Sequence, residues 1–303
     1  MDISFCDYLE AKYPLDERSL NPDVRALFQS VIGSFRDVRI LDIGCGLGAS
    51  VNRLMAIGQD VHFDVTAVDF DEPTLQSASV RVGHMLRQYG YEVIADNDMI
   101  CAVRNRQTFR IRFVGADLLH FVPDSPGQYD VVMAHALMDL LPPSLMVQRV
   151  FDWLGPGGLF YASLNYDGGT TLLPPYSEAP LERDIFLCYD ASMERMIGNE
   201  VCGGAQSGRR LHAALMNSGY EVLAYGSSDW NITPYLGGYR DADQDCLLAL
   251  LGMIRNEAHR SHQFDEETLQ EWCDRRSSLI ESGQLGLIIH QLDILARKPG
   301  AVA

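Results

Sequence analysis

The segment Asp42-Ile-Gly44-Cys-Gly46-Leu-Gly48 follows directly on an apolar run, VRILDI, and opens into ASVNRLMAIG. Glycines in this pattern let a strand turn sharply into a helix and let backbone approach a ligand that a Cβ would exclude. The helix that follows offers unpaired amide donors to that ligand. A chain with such a junction is constrained to an α/β fold built on a parallel sheet. The ligand itself is left open by this segment alone. Gly44-x-Gly46-x-x-Ala49 also fits the dinucleotide fingerprint, and Asp69 lies where a ribose-binding acid of that fold would stand.

The rest of the chain repeats the alternation. HFDVTAVDF reads as a second strand, and a helix is predicted from Pro73 to about Tyr89, with proline in its first turn. MICAVRN and TFRIRFVGAD alternate around Asn105-Arg106-Gln107 and read as a hairpin leading into the third parallel strand. YDVVMAHAL and GLFYASLN give the fourth and fifth strands, separated by the helix PSLMVQRVFDWLG. Past Asn165 the rhythm breaks. It returns as the amphipathic segment SGRRLHAALMNSG, the strand YEVLAYG, a helical stretch and the closing strand LGLIIHQLDILARKP. The expected division is an N-terminal helical lid at 1–36, a ligand-binding core at 37–165, a cap insertion at 166–205, and a return to the core at 206–303 with a helical insertion at 229–283.

Composition narrows the function. Forty-one acidic against 24 basic residues give a net charge of −17, a surface ill suited to phosphate backbones. The short arginine clusters, such as Arg104/Arg106/Arg110/Arg112, read as solvated faces. Seven cysteines without a CxxC pair point to reduced thiols and no zinc site. No apolar run reaches the roughly 20 residues of a membrane span, and the N-terminus lacks the pattern of a signal peptide. The expectation is a cytoplasmic protein with a small-molecule substrate and no nucleic-acid, membrane or metal partner. A homodimer is compatible with the chain.

Five motifs in order carry a resemblance. VRILDIGCGLGAS resembles motif I of class I S-adenosylmethionine-dependent methyltransferases, AVDFDEPTL the second-strand motif, and VGADLLHF the third. YDVVMAHALMDLL resembles the fourth motif, and WLGPGGLFYASLN the glycine turn before strand five. Together they span roughly residues 38–165. The resemblance implies a doubly wound, seven-stranded, mostly parallel sheet with an antiparallel last strand, capped by the N-terminus and the insertions. It implies S-adenosylmethionine as methyl donor and S-adenosylhomocysteine as product. Asp42, Gly44, Cys45, Gly46 and Gly48 would then surround the methionine and ribose portions. Asp69 would hold the ribose hydroxyls, and Phe70 would pack near adenine. Asp117 and Leu118 would meet the adenine, and His135 would stand near the sulfonium.

Catalytic candidates are His135, Asn165 and Tyr189; candidates for acceptor contact are Tyr13, Arg18, Asn165, Asp167, Tyr189 and Trp230. Methyl transfer from sulfur is an in-line displacement, so alignment and exclusion of water would carry most of the catalysis. Other segments, including PLDERSLN and HQLDIL, are similar to a group of bacterial methyltransferases and extend the resemblance over the insertions. The chain lacks the Asn/Asp-Pro-Pro-aromatic sequence of base amino-methylating relatives and a Pro-Cys nucleophile, which argues against nucleic-acid bases as acceptors. A non-catalytic S-adenosylmethionine-binding module and a nicotinamide-dependent oxidoreductase stand as alternative readings. The acceptor, and whether O, N or C is methylated, are not specified by the sequence.

Overall fold

A computed structural model describes residues 5–58, 60–96 and 98–300. Two helices lead in, α1 (Phe5–Ser19) and α2 (Pro22–Ile32). Asn21 starts α2 by accepting from the amides of Asp23 and Val24, with Pro22 in the first turn. The core then alternates: β1 (Asp37–Ile43), α3 (Ala49–Met55), β2 (His62–Asp69), α4 (Glu72–Gln88). A meander follows, β3 (Glu92–Asp96), β4 (Met99–Arg104) and β5 (Gln107–Gly115), then β6 (Tyr129–His135) and α5 (Pro143–Trp153). β7 runs for 20 residues, Leu154–Leu173. Beyond it come α6 (Ala179–Ser192), the two-residue strands β8 (Met196–Ile197) and β9 (Glu200–Val201), and α7 (Ser207–Asn217). β10 (Glu221–Ser227), β11 (Trp230–Ile232), α8 (Asp243–Arg260), α9 (Glu266–Glu281) and β12 (Gly286–Arg297) complete the chain.

The main sheet is ordered β10-β12-β7-β6-β1-β2-β5-β4-β3. β5, β2, β1, β6 and β7 are parallel, whereas β12 enters antiparallel between β7 and β10. The expected mostly parallel sheet with a reversed final strand is therefore present, extended at one edge by the antiparallel β4 and β3. Strand order reverses between β1 and β6, and ligands bind such sheets outside the carboxyl ends of the strands at that switch.

Apolar residues on both faces of the central strands explain the layering. On one side α2, α3 and α4 bury Phe28, Leu54 and Val82 against Ile40, Val65 and Tyr161. On the other, α5 and α7 bury Val147, Trp153, Leu211 and Leu215 against Leu41, Val132 and Phe160. A third apolar cluster joins α1, α6, α8, α9 and the far ends of β7 and β12, through Leu15, Ile185, Trp230, Leu250, Trp272 and Leu287. This cap has an ionic centre. Glu182 accepts from Trp272 Nε1 at 3.0 Å and from Arg276 Nε and Nη2 at 2.7 and 2.6 Å, while Arg276 Nη1 reaches Pro174 O at 2.8 Å.

The fifth strand continues well past its expected end. Residues 165–173 pair with 286–292 of β12, so the first fifth of the segment expected to be a cap insertion, 166–173, belongs to the sheet.

Candidate active site

The turn after β1 takes its shape from residues that only glycine suits. Gly44, Gly46 and Gly48 have φ of 63°, 51° and 76°, in the left-handed region that excludes most side chains. At Gly44 an added Cβ would lie 2.6 Å from Leu137 Cδ1, and at Gly48 2.5 Å from Val82 Cγ2. The turn is pinned from below by Cys45 N donating to Val68 O at 3.0 Å, and from the side by Gly46 N donating to Asp69 Oδ2 at 2.8 Å. The other Asp69 oxygen accepts from Asp71 N at 3.1 Å.

Above this turn lies a cavity of about 440 Å3, within the size range of small-ligand sites. Its outer end is lined by Asp69, Phe70, Asp117, Leu118 and Leu119. Asp117 is held by Leu119 N at 2.9 Å and by His120 Nδ1 at 2.8 Å, and these bonds keep its carboxyl below the usual range. Phe70 is 81% exposed, which for a large aromatic ring at the rim of a pocket leaves a face ready to cover a planar ligand.

The inner end is polar. Asp42, buried under the turn, accepts from Ser50 Oγ at 3.0 Å with Oδ1, while Oδ2 has no partner among the described residues. Burial pushes its carboxyl up to about 7. Arg53, on the same helix as Ser50 and one turn further, spends Nε on Glu17 Oε1 at 2.6 Å and leaves Nη1 buried and unpaired among the described residues. His135, at the end of β6, pairs through Nδ1 with Ser163 Oγ and stands edge-on to Tyr161 at 5.3 Å. Its Nε2 is buried without a partner among the described residues, and burial holds the ring well below the usual histidine range, as a neutral imidazole.

α1 roofs this end. Leu9, Lys12, Tyr13 and Asp16 all reach the cavity. The helix is tied down on three sides: Tyr13 OH to Asn52 Nδ2, Glu17 to Arg53, and Arg18 Nη2 to Asp243 at 2.5 and 2.6 Å. Asp16 joins Lys12 and also accepts from Trp230 Nε1 at 3.0 Å. A third wall is apolar: Leu137, Leu140 and Leu141 from the loop after β6, and Ile197 from β8.

Of the residues singled out from the sequence, Tyr13, Gly44, Cys45, Gly46, Asp69, Phe70, Asp117, Leu118 and His135 meet at this cavity, with Asp42 immediately beneath. Gly48 starts α3 instead, its amide bonded to Cys45 O. The other acceptor candidates are engaged elsewhere. Asn165 donates to Leu292 O inside the β7–β12 pairing, and Asp167 accepts from Arg209 N and Nε. Arg18 faces Asp243; Trp230 is buried behind α1, where its indole holds Asp16. Tyr189 lies on α6, packed into the cap cluster. Lys12, Ser50 and Arg53 line the cavity without having been singled out, beside Asp16, which the sequence places in the N-terminal lid. The i, i+4 pair Lys12/Asp16 and the i, i+3 pair Ser50/Arg53 each share a helix face, the one sequence signal that could have marked them.

Comparison with known proteins gives a consistent class. Residues 41–162 match the family described as a methyltransferase domain. Ubiquinone biosynthesis O-methyltransferases of Bordetella avium and Bordetella bronchiseptica are 25% and 26% identical over 149 residues, 48% of this chain and 51% of each relative. The chain thus spans about half the length of the curated relatives it matches. A crystal structure provisionally assigned as a methyltransferase, from Bacillus halodurans C-125, superposes with a TM-score of 0.51 at 14% identity, over 92% of this chain and all of the other, and shows a shared fold. Residues 41–162 thus match a methyltransferase domain, and the strand order and glycine turn described above lie within that same segment and its surroundings.

Among the described residues no group of histidine, cysteine or acidic side chains is arranged to hold a metal, and no helix is long and apolar enough to cross a membrane.

Proposed function

We propose that this protein transfers the methyl group of S-adenosylmethionine to a small acceptor with an apolar body. The observation that carries the proposal is the arrangement of Asp69 and Asp117 at one end of a single cavity and His135 at the other, with the glycine turn between them. A nucleoside at the outer end would find the Asp69 carboxylate for its ribose hydroxyls, the Phe70 ring for a base face, and Asp117 for an exocyclic amine. The residues present fit the molecule: the glycine turn leaves room that side chains would fill, and the inner end offers unpaired buried polar atoms. Buried polar groups of this kind normally have partners.

When bound, S-adenosylmethionine supplies a methyl group on a positively charged sulfur, open to in-line attack. The protein has to align the acceptor and keep water out. Leu9 and Leu137 border the region beside His135, while Leu140, Leu141 and Ile197 continue the wall outward; these side chains would hold an apolar acceptor and dry the reacting end. His135 is placed to receive the acceptor's proton. As a base at Nε2 it carries its own proton on Nδ1 and donates it to Ser163 Oγ, and its neutrality keeps the lone pair free. A hydroxyl acceptor is the reading that the relatives' designation as O-methyltransferases supports.

Calorimetric titration with S-adenosylhomocysteine and, separately, NADH tests the reading. Binding of the former and not the latter is expected; binding of NADH alone would transfer the cavity to hydride chemistry. Transfer of labelled methyl to a panel of hydroxylated aromatic and aliphatic acceptors then assays the reaction itself.

A further inference from the structure

The inner end of the cavity holds two cations in unequal states. Lys12 is paired with Asp16, and Asp16 is further committed to the Trp230 indole. Arg53 is 5% exposed and committed on one edge only: Nε meets Glu17, while Nη1 points to no acceptor among the described residues. Both side chains line the cavity. A buried guanidinium N–H without a partner is a large uncompensated loss, greater than for a neutral donor. The planar guanidinium suits a carboxylate better than any other common anion except phosphate.

Beneath the same turn, Asp42 presents an acceptor. Its Oδ2 is buried and unpartnered, and Ser50 and Arg53 stand one turn apart on the helix above it. One cation with a free donor and one carboxyl with a free acceptor, separated by the glycine turn, match an α-amino acid zwitterion.

We propose that Arg53 receives the α-carboxylate of the cofactor's methionine, so fixing the sulfur end of the cavity beneath α1. The assignment rests on the methyl-transfer reading of the site and adds to it a binding residue and an orientation. Glu17 then has a second consequence: through Arg53 it couples closure of α1 to occupancy of the carboxylate subsite.

Two ligands separate this from simple packing. S-adenosylhomocysteine carries the amino-acid half, and 5′-methylthioadenosine lacks it while keeping the nucleoside. In the full-length protein, Arg53→Gln should weaken S-adenosylhomocysteine about tenfold to a hundredfold, the range of a lost charge-assisted hydrogen bond, and leave 5′-methylthioadenosine within about twofold. Arg53→Lys should recover part of the loss. Glu17→Gln removes the ion pair and keeps the guanidinium, so it should stay closer to the wild type than Arg53→Gln does. Equal weakening of both ligands in Arg53→Gln, or no weakening of either, overturns the assignment while the methyl-transfer reading survives. A wild-type protein that binds neither ligand overturns both.

Discussion

Gly46 N donates to Asp69 Oδ2 over 2.8 Å, joining the turn after β1 to the end of β2. The two residues are 23 apart in sequence and come together only because β1 and β2 pair in parallel, with Asp42 opposite Ala67 and Ile43 opposite Val68. The same carboxylate therefore shapes the turn and faces the cavity.

Replacing Asp69 tests both roles. Asp69→Asn keeps an oxygen for Gly46 N and loses the negative acceptor, whereas Asp69→Ala loses both. S-adenosylhomocysteine affinity should fall in the order wild type, Asp69→Asn, Asp69→Ala, with the alanine variant down by about tenfold to a hundredfold. Calorimetry that finds Asp69→Ala as tight as wild type would remove this carboxylate from the nucleoside site.

Phe70 projects from the rim with little packing to lose. Phe70→Ala should leave stability within about 0.5 kcal/mol, as for other exposed positions, and weaken nucleoside binding severalfold. Melting temperature and ligand affinity measured on one preparation decide it; a variant that melts early with affinity intact would make the ring structural.

Asp42 makes the ligand-free protein less stable as pH rises. An unfolded aspartate loses its proton near pH 4, whereas burial keeps the folded carboxyl protonated until about 7. Between those values the folded state binds more protons than the unfolded, so stability falls with rising pH. Asp42→Asn deletes the ionisation and should gain on the wild type between pH 5 and 8 in urea titrations. A constant difference across that range would place the charge of Asp42 outside the stability balance.

His135 stays neutral because its ring is buried and Arg53 and Lys12 stand nearby. Protonation near pH 6.5, where a solvated histidine titrates, should therefore leave no inflection in kcat/KM. His135→Gln should lower kcat by about a hundredfold to ten-thousandfold, the usual worth of a general base. A variant with near-normal kcat would assign the proton directly to solvent.

The cap depends on Glu182 and Arg276, the latter 1% exposed. Glu182→Ala strands the guanidinium and the Trp272 indole together, which should cost about 3–5 kcal/mol. Denaturant unfolding checks the figure, and a loss below 1 kcal/mol would mean that the region repacks or hydrates.

Sequence alone carried the central strands and the turn a long way, because their signals are local: apolar runs ending at glycine, and acids at successive strand ends. The expected helix at Pro73 begins at Glu72, and the hairpin before the third parallel strand is present with one further strand, β3, outside it. Asn165 and Asp167 were harder. Their neighbours Gly168 and Gly169 read as loop, yet β12 supplies a partner more than a hundred residues away and keeps the strand running. Trp230 reads from the sequence as a candidate acceptor contact; only the fold reveals that Asp16 lies against its indole nitrogen. Arg53 was invisible for a related reason, since an arginine in a short helix signals nothing until its surroundings show one edge left without a partner.

The length of β7 and β12 also decides how the cap is joined to the core. Both strands pass from the parallel core into the layer that carries α8 and α9, with register shifts near Gln291 and Leu292 on the way. α1 is held instead by side-chain ties to Asn52, Arg53, Trp230 and Asp243. On the proposed reading, a ligand passing beneath α1 would have to part those ties and the packing of Leu15 in the cap cluster.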